Sequence, residues 1–180
     1  MIDPAVAWIA ALAAGLIFAA SAVIKLRNLE LFESAVINYR ILPEVLARPV
    51  AYLLPIAELT GALAVLRPAS RAAGASLLLM LLAAFTIGIA VNLMRGRHDV
   101  DCGCFGPALR QTLSWWLVLR NGALAAMVGL LLLKPENRAL TMLDRFTIAF
   151  AVSSILVLYA SLNYVFANIP RLREFGARYA

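Results

Sequence analysis

Long apolar runs separated by short polar stretches dominate this chain. Five of them reach the ~20 residues that one bilayer crossing needs: residues 4–24, 46–66, 72–94, 113–133 and 146–168. The first is rich in alanine and holds Gly15 and Ser21, small residues that let helices approach closely. Its flank carries Asp3 and neither Lys nor Arg, so it reads as a retained helix and not as a signal peptide. The second run contains Pro55, with Glu58 close to its middle, and the third has no charge at all. The fourth carries Arg120 and Asn121 about two turns inside its start. Between the first two runs, Lys25, Arg27, Glu30, Glu33, Arg40 and Glu44 alternate with apolar residues. There Leu29, Phe32, Val36 and Ile37 recur at three- and four-residue spacing, which predicts a short amphipathic helix in the interface. Arg67, Pro68 and Arg71 predict a tight turn, residues 134–145 a polar turn, and the tail after Pro170 is basic. The pattern predicts an all-α integral membrane protein. It is a five-transmembrane-helix bundle with a short amphipathic interfacial helix after the first span, forming one domain over residues 1–180.

Composition agrees with that reading. At 63% hydrophobic and 14% charged, the chain has more apolar surface than a soluble 180-residue domain buries, so lipid is its solvent. The net charge of +6 is spread over several loops without a basic–aromatic cluster, which argues against nucleic-acid binding.

The candidate chemistry lies in the loop of residues 95–112. It holds Asp101-Cys102-Gly103-Cys104-Phe105-Gly106, with the chain's two cysteines. Two thiols one glycine apart can close on each other or hand a disulfide to a partner. Glycine suits the spacer because a Cβ would obstruct the backbone angles of so small a ring. Strain in such a ring raises its tendency to accept electrons. Idle thiols at a membrane surface are the plain alternative. Half of a zinc site is a third, but four-ligand spacing needs more Cys or His than a chain whose one histidine is His98. Rapid exchange needs a lowered thiol pKa. Arg95, Arg97, His98 and Arg110 supply positive potential, Asp99 and Asp101 oppose it, and Asp101 can equally serve as a local proton acceptor. All of these are also ordinary loop charges. Phe105 reads as a hydrophobic anchor, with Gly106-Pro107 making the turn. Trp115 and Trp116 sit where interfacial anchors are expected, ahead of any role in stacking on a quinone.

Charge and chemistry disagree on orientation. Five spans put the segment after the first span, the cysteine loop and the C-terminal tail on one side, with ten Lys and Arg, counting Arg48 at the head of the second span, against five on the other. Positive-inside bias therefore favours a cytoplasmic loop. A stable disulfide exchanger belongs in an oxidising compartment.

The Asp101–Gly106 element, together with Leu119-Arg120-Asn121, Lys25-Leu26, Tyr39-Arg40-Ile41-Leu42-Pro43 and Pro55-Ile56-Ala57-Glu58, resembles the methylamine utilisation protein MauE family and the wider MauE/DoxX group of redox-associated membrane proteins. The likeness covers nearly the whole chain. It implies a bacterial inner-membrane protein with a periplasmic cysteine loop. It also implies thiol–disulfide exchange with a membrane-anchored thioredoxin-like partner of the MauD type, and a disulfide-rich client, the methylamine dehydrogenase small subunit. The bundle is similar as well to vitamin K epoxide reductases, which use two cysteine pairs where this chain has one. Quinone is the one cofactor left open, and no metal is expected.

The site residues expected on these grounds are Cys102 and Cys104 as the reacting pair. Asp101, Gly103, Phe105, Gly106, His98, Glu58, Arg120 and Asn121 are expected to support them. Glu58 lies roughly 15 Å below the loop-side surface and Arg120 roughly 12 Å, so a buried Glu58–Arg120 ion pair is expected, completed by Asn121. A scaffold that merely docks the partner, and a small transporter using Glu58 and Arg120, are the competing functions.

Overall fold

The computed structural model describes residues 1–97, 100, 102 and 111–179, with side chains described through residue 168. Six helices follow in order: α1 (Pro4–Arg27), α2 (Leu29–Asn38), α3 (Glu44–Leu66), α4 (Arg71–Met94), α5 (Trp115–Gly129) and α6 (Met142–Tyr179). A 3₁₀ turn, Leu130–Leu132, extends α5 to spanning length. Helices α1, α3, α4, α5 with its turn, and α6 are each long and apolar enough to cross a membrane. α2 is the short interfacial element. It turns Phe32 and Ala35 inward, so the buried side of its apolar stripe runs through Ala35, with Leu29, Val36 and Ile37 half-buried.

Local chemistry explains the helix ends. Asp3 caps α1 by accepting from the Ala5 N–H at 2.7 Å, and Pro4 occupies the first turn, where a missing N–H costs nothing. At the same end of the bundle Arg138 donates to Asp3 at 3.0 Å and to Asp144 at 2.8 Å, tying the start of α1 to the α5–α6 connection. These bonds hold the Asp3 carboxyl below the usual carboxylate range, the Ala5 N–H contributing most and Arg138 next. Glu136 N–H reaches Ile2 C=O at 2.9 Å and reinforces the tie. Arg71 opens α4 with its Nε donating to Val65 C=O at 3.1 Å and its guanidinium 4.6 Å over the Trp8 ring. The chain passes from α2 to α3 through Arg40, whose φ of 48° is left-handed.

α1 packs mainly on α3 and then on α6. α3 also packs on α4 and α2, and α4 on α5. Small residues set the α3–α4 distance: a Cβ added at Gly74 would lie 2.7 Å from Ala64 Cβ and 2.8 Å from the Val65 backbone nitrogen. The last span was expected over residues 146–168, and its helix does not stop there. α6 continues through Pro170 to Tyr179.

Candidate functional site

Helices α1, α3 and α5 each bury one stripe, and each stripe carries a charged residue in the half of the bundle nearer the cysteine loop. On α1 the stripe is Ala7, Ala11, Ala14, Phe18, Ala22 and then Lys25. On α3 it is Ala47, Ala51, Pro55, Glu58, Ala62 and Val65, with the carboxylate interrupting an otherwise apolar row. On α5 it is Leu117, Arg120 with Asn121, Leu124 and Val128. The three- and four-residue steps are those of one helix face, so packing of the small apolar residues itself carries the charges inward.

Lys25 and Glu58 form a salt bridge of 2.5 Å, with their side chains 2% and 3% exposed. The expected partner of Glu58 was Arg120, so the pairing is corrected: the carboxylate takes the ammonium of α1. The reason is adjacency. α1 is the helix packed most extensively on α3, and the Lys25 stem is long enough to drop below the surface to Glu58 instead of reaching up to water. Ser21 Oγ donates to the second carboxylate oxygen at 3.4 Å. The Lys25 ammonium lies 4.5 Å from the Phe85 centroid and 5.2 Å from that of Phe32, so two ring faces cover its outer side.

Arg120 serves the neighbouring network. Its guanidinium donates to Asn163 Oδ1 at 3.0 Å and to Asn121 Oδ1 at 3.2 Å, and Asn121 donates to Thr86 Oγ1 at 3.2 Å. The expected placement of Arg120 and Asn121 together in the interior therefore holds. Glu58 and Arg120 do share surroundings. Both line one small cavity, about 40 Å³, with Lys25, Asn121 and Tyr159. That volume has room for ordered water among polar walls.

The network reaches the cysteine loop through Asn163 and Gln111, two residues that the sequence reading did not single out. Asn163 is 2% exposed; its amide donates to Tyr159 C=O at 2.7 Å, and its own carbonyl accepts from Gln111 Nε2 at 2.9 Å. Gln111 C=O accepts from Cys102 N–H at 2.8 Å, and Leu113 N–H donates to Val100 C=O at 3.0 Å, which closes the neck of the loop. The signal for Asn163 was available, since it follows Ile148, Val152, Leu156 and Tyr159 at helical spacing. Gln111 had none beyond its position at the foot of the loop.

Cys102 is 2% exposed and packs against Ile89, Leu93, Leu113 and Leu117. It is not a free thiol, and no described cysteine is. Cys104, Asp101, Gly103, Phe105, Gly106 and His98 lie outside the described residues, as do Asp99, Pro107 and Arg110. Of Trp115 and Trp116, the first is exposed, as a membrane anchor should be. Trp116 instead stacks on Phe166 of α6, with centroids 3.8 Å apart and planes at 12°. That partner takes up the ring face on which quinone stacking was considered.

Five apolar spans around a core of paired and hydrogen-bonded polar groups define a multi-pass helical membrane protein. The chain belongs to the MauE family: the family described as "Methylamine utilisation protein MauE" matches residues 3–134. It is 41% identical to the methylamine utilization protein MauE of Paracoccus denitrificans over 71% of this chain and 68% of that one. It is 39% identical to the MauE protein of Paracoccus versutus, covering 88% and 86% of the two chains. With the MauE protein of Methylorubrum extorquens the identity is 41%, over 79% and 77%. No solved structure matches.

Proposed function

We propose that this protein acts in methylamine utilisation as a membrane thiol–disulfide redox protein. In this reading Cys102 and Cys104 form a reversible disulfide. It exchanges with a membrane-anchored, thioredoxin-like partner of the MauD type during maturation of the disulfide-rich small subunit of methylamine dehydrogenase. The observation that carries the reading is the setting of Cys102. A buried, bonded cysteine is clamped through Gln111 and Asn163 to Arg120, so its loop is anchored to the bundle and not left hanging at the surface. Exchange requires attack of a thiolate on a disulfide sulfur, and a fixed loop presents that sulfur in one orientation to the partner. The membrane is the bacterial inner membrane and the loop faces the periplasm, where disulfides persist.

Trapping tests the proposal. A partner reduced to its single attacking cysteine should form a mixed disulfide with wild-type protein and none when both Cys102 and Cys104 are serine. Full client maturation in the double serine strain, with the membrane protein at normal abundance, would leave a scaffold role instead.

A further inference from the structure

A cleft of about 460 Å³ opens where the end of α1, the interfacial helix α2 and the start of α3 meet, within the size range of small-molecule sites. Four charged side chains line it: Arg27 at the end of α1, Glu30 and Glu33 on α2, and Arg48 near the start of α3. Arg27, Glu30 and Arg48 are exposed and Glu33 is half-buried. Among the described residues, none of these four side chains takes part in a salt bridge or a side-chain hydrogen bond. Two guanidinium groups and two carboxylates therefore keep their hydrogen-bonding capacity for an occupant of the cleft. The cleft stands at the membrane surface, because α1 and α3 are spanning helices and Arg27 and Arg48 lie at their ends. Tyr52, four residues below Arg48 and 43% exposed, has the apolar body and polar tip that settle at the headgroup level. Ile56 and Leu63 continue that face of α3 at four- and seven-residue steps and are exposed. An apolar track thus leads from the cleft into the hydrocarbon.

We infer that this cleft binds one phospholipid through a phosphoethanolamine headgroup, with an acyl chain laid along Ile56 and Leu63. The inference is independent of the cysteine chemistry. The charge pattern selects the headgroup. Arg27 and Arg48 offer planar donor forks that suit phosphate oxygens. Glu30 and Glu33 accept the N–H donors of a primary ammonium. A choline headgroup carries no N–H to give them, and a glycerol headgroup sets no cation against them. The two cations and two anions of the cleft cancel, so it has no net charge with which to draw an anionic lipid. A lipid bound in this way contacts α1, α2 and α3 together and holds α2 at the level of the headgroups.

The test is native mass spectrometry of the full chain in detergent, titrated with dioleoyl phosphatidylethanolamine, phosphatidylcholine and phosphatidylglycerol. The first should occupy one site about fivefold more tightly than the other two, which is what two exposed ion pairs of ordinary strength supply. Glu30→Gln with Glu33→Gln removes the partners of the ammonium and leaves the arginines. It should abolish the preference over phosphatidylcholine and make phosphatidylglycerol the tightest of the three. A reversal of that kind cannot come from a chain that fails to fold. Arg27→Gln with Arg48→Gln should weaken all three lipids. Arg40→Gln with Glu44→Gln, charges at the same end that do not line the cleft, should change nothing. Glycerophosphoethanolamine, the same headgroup without chains, should compete only in large excess. Equal binding of the three lipids by wild type would overturn the headgroup assignment, and so would phosphatidylglycerol binding tightest. An effect of the Arg40 and Glu44 pair as large as that of the Glu30 and Glu33 pair would overturn the cleft. Competition by the chainless headgroup as strong as by the lipid would make the ligand water-borne and overturn the acyl track.

Discussion

Removing one partner of the Lys25–Glu58 pair should be far more damaging than removing both. At 2.5 Å and an effective dielectric near 20, the gross attraction is about 6–7 kcal/mol. Most of it offsets the desolvation of two side chains that are 2% and 3% exposed, so the pair contributes little net stability relative to an apolar replacement. A single substitution leaves the other charge buried, at a cost of about 3–5 kcal/mol. Lys25→Met and Glu58→Leu should each lower the thermal midpoint of purified protein by on the order of 10 °C. The double variant should recover at least half of the summed loss. The singles should also be unequal. Without Glu58, the Lys25 ammonium and the Arg120 guanidinium remain on one cavity as like charges, whereas without Lys25 the carboxylate still has Ser21 and faces Arg120. Glu58→Leu should therefore be the worse of the two. The assay is a thermal melt in nanodiscs, with abundance in membranes as a second readout. Additive losses in the double variant would refute the pairing, and a milder Glu58→Leu would refute the account of Arg120.

Asn163→Leu removes an acceptor of Arg120 and the carbonyl-bound amide of α6 together; it should cost about 2–4 kcal/mol, and a cycle with Arg120→Gln should show coupling above 0.5 kcal/mol. Gly74→Val drives a side chain into Ala64 and the Val65 backbone and should cost at least the 1–3 kcal/mol typical of overpacking, read as lost folded protein after extraction. The Asp3 carboxyl is held low by the Ala5 N–H and Arg138, so its contribution to stability is present above its ordinary pKa and is lost as pH falls through the lowered value. Melts between pH 5 and pH 2 should show that loss in wild type and a shallower slope in Asp3→Asn.

The spans were legible because a bilayer imposes one length on every crossing. Runs of the right length and composition had no other use, and the first four spanning helices fall within a few residues of the expected bounds. α2 was legible from the spacing of Phe32 and Val36. What the apolar pattern did not carry was the end of the last helix. Pro170 disfavours a helix locally, yet the backbone of α6 runs on past it, so the local preference was overridden there.

The interior charges show where reading by depth succeeds and where it fails. Counting rises along α3 and α5 placed Glu58 and Arg120 at matching levels, and they do border one cavity. Depth alone cannot choose between two cations for one carboxylate. That choice depends on which helices are neighbours, and Lys25 looked like a surface charge because it stands near a helix end. Its spacing said otherwise: Lys25 lies three, seven, eleven and fourteen residues after Ala22, Phe18, Ala14 and Ala11, all of them buried. A lysine in register with a buried stripe must either snorkel out or find an anion at its own level, and the adjacent helix supplied one. Arg120 was then left to the amides of Asn121 and Asn163. Through Gln111 that arrangement reaches the backbone of Cys102, so the misassigned pair and the overlooked asparagine have one cause.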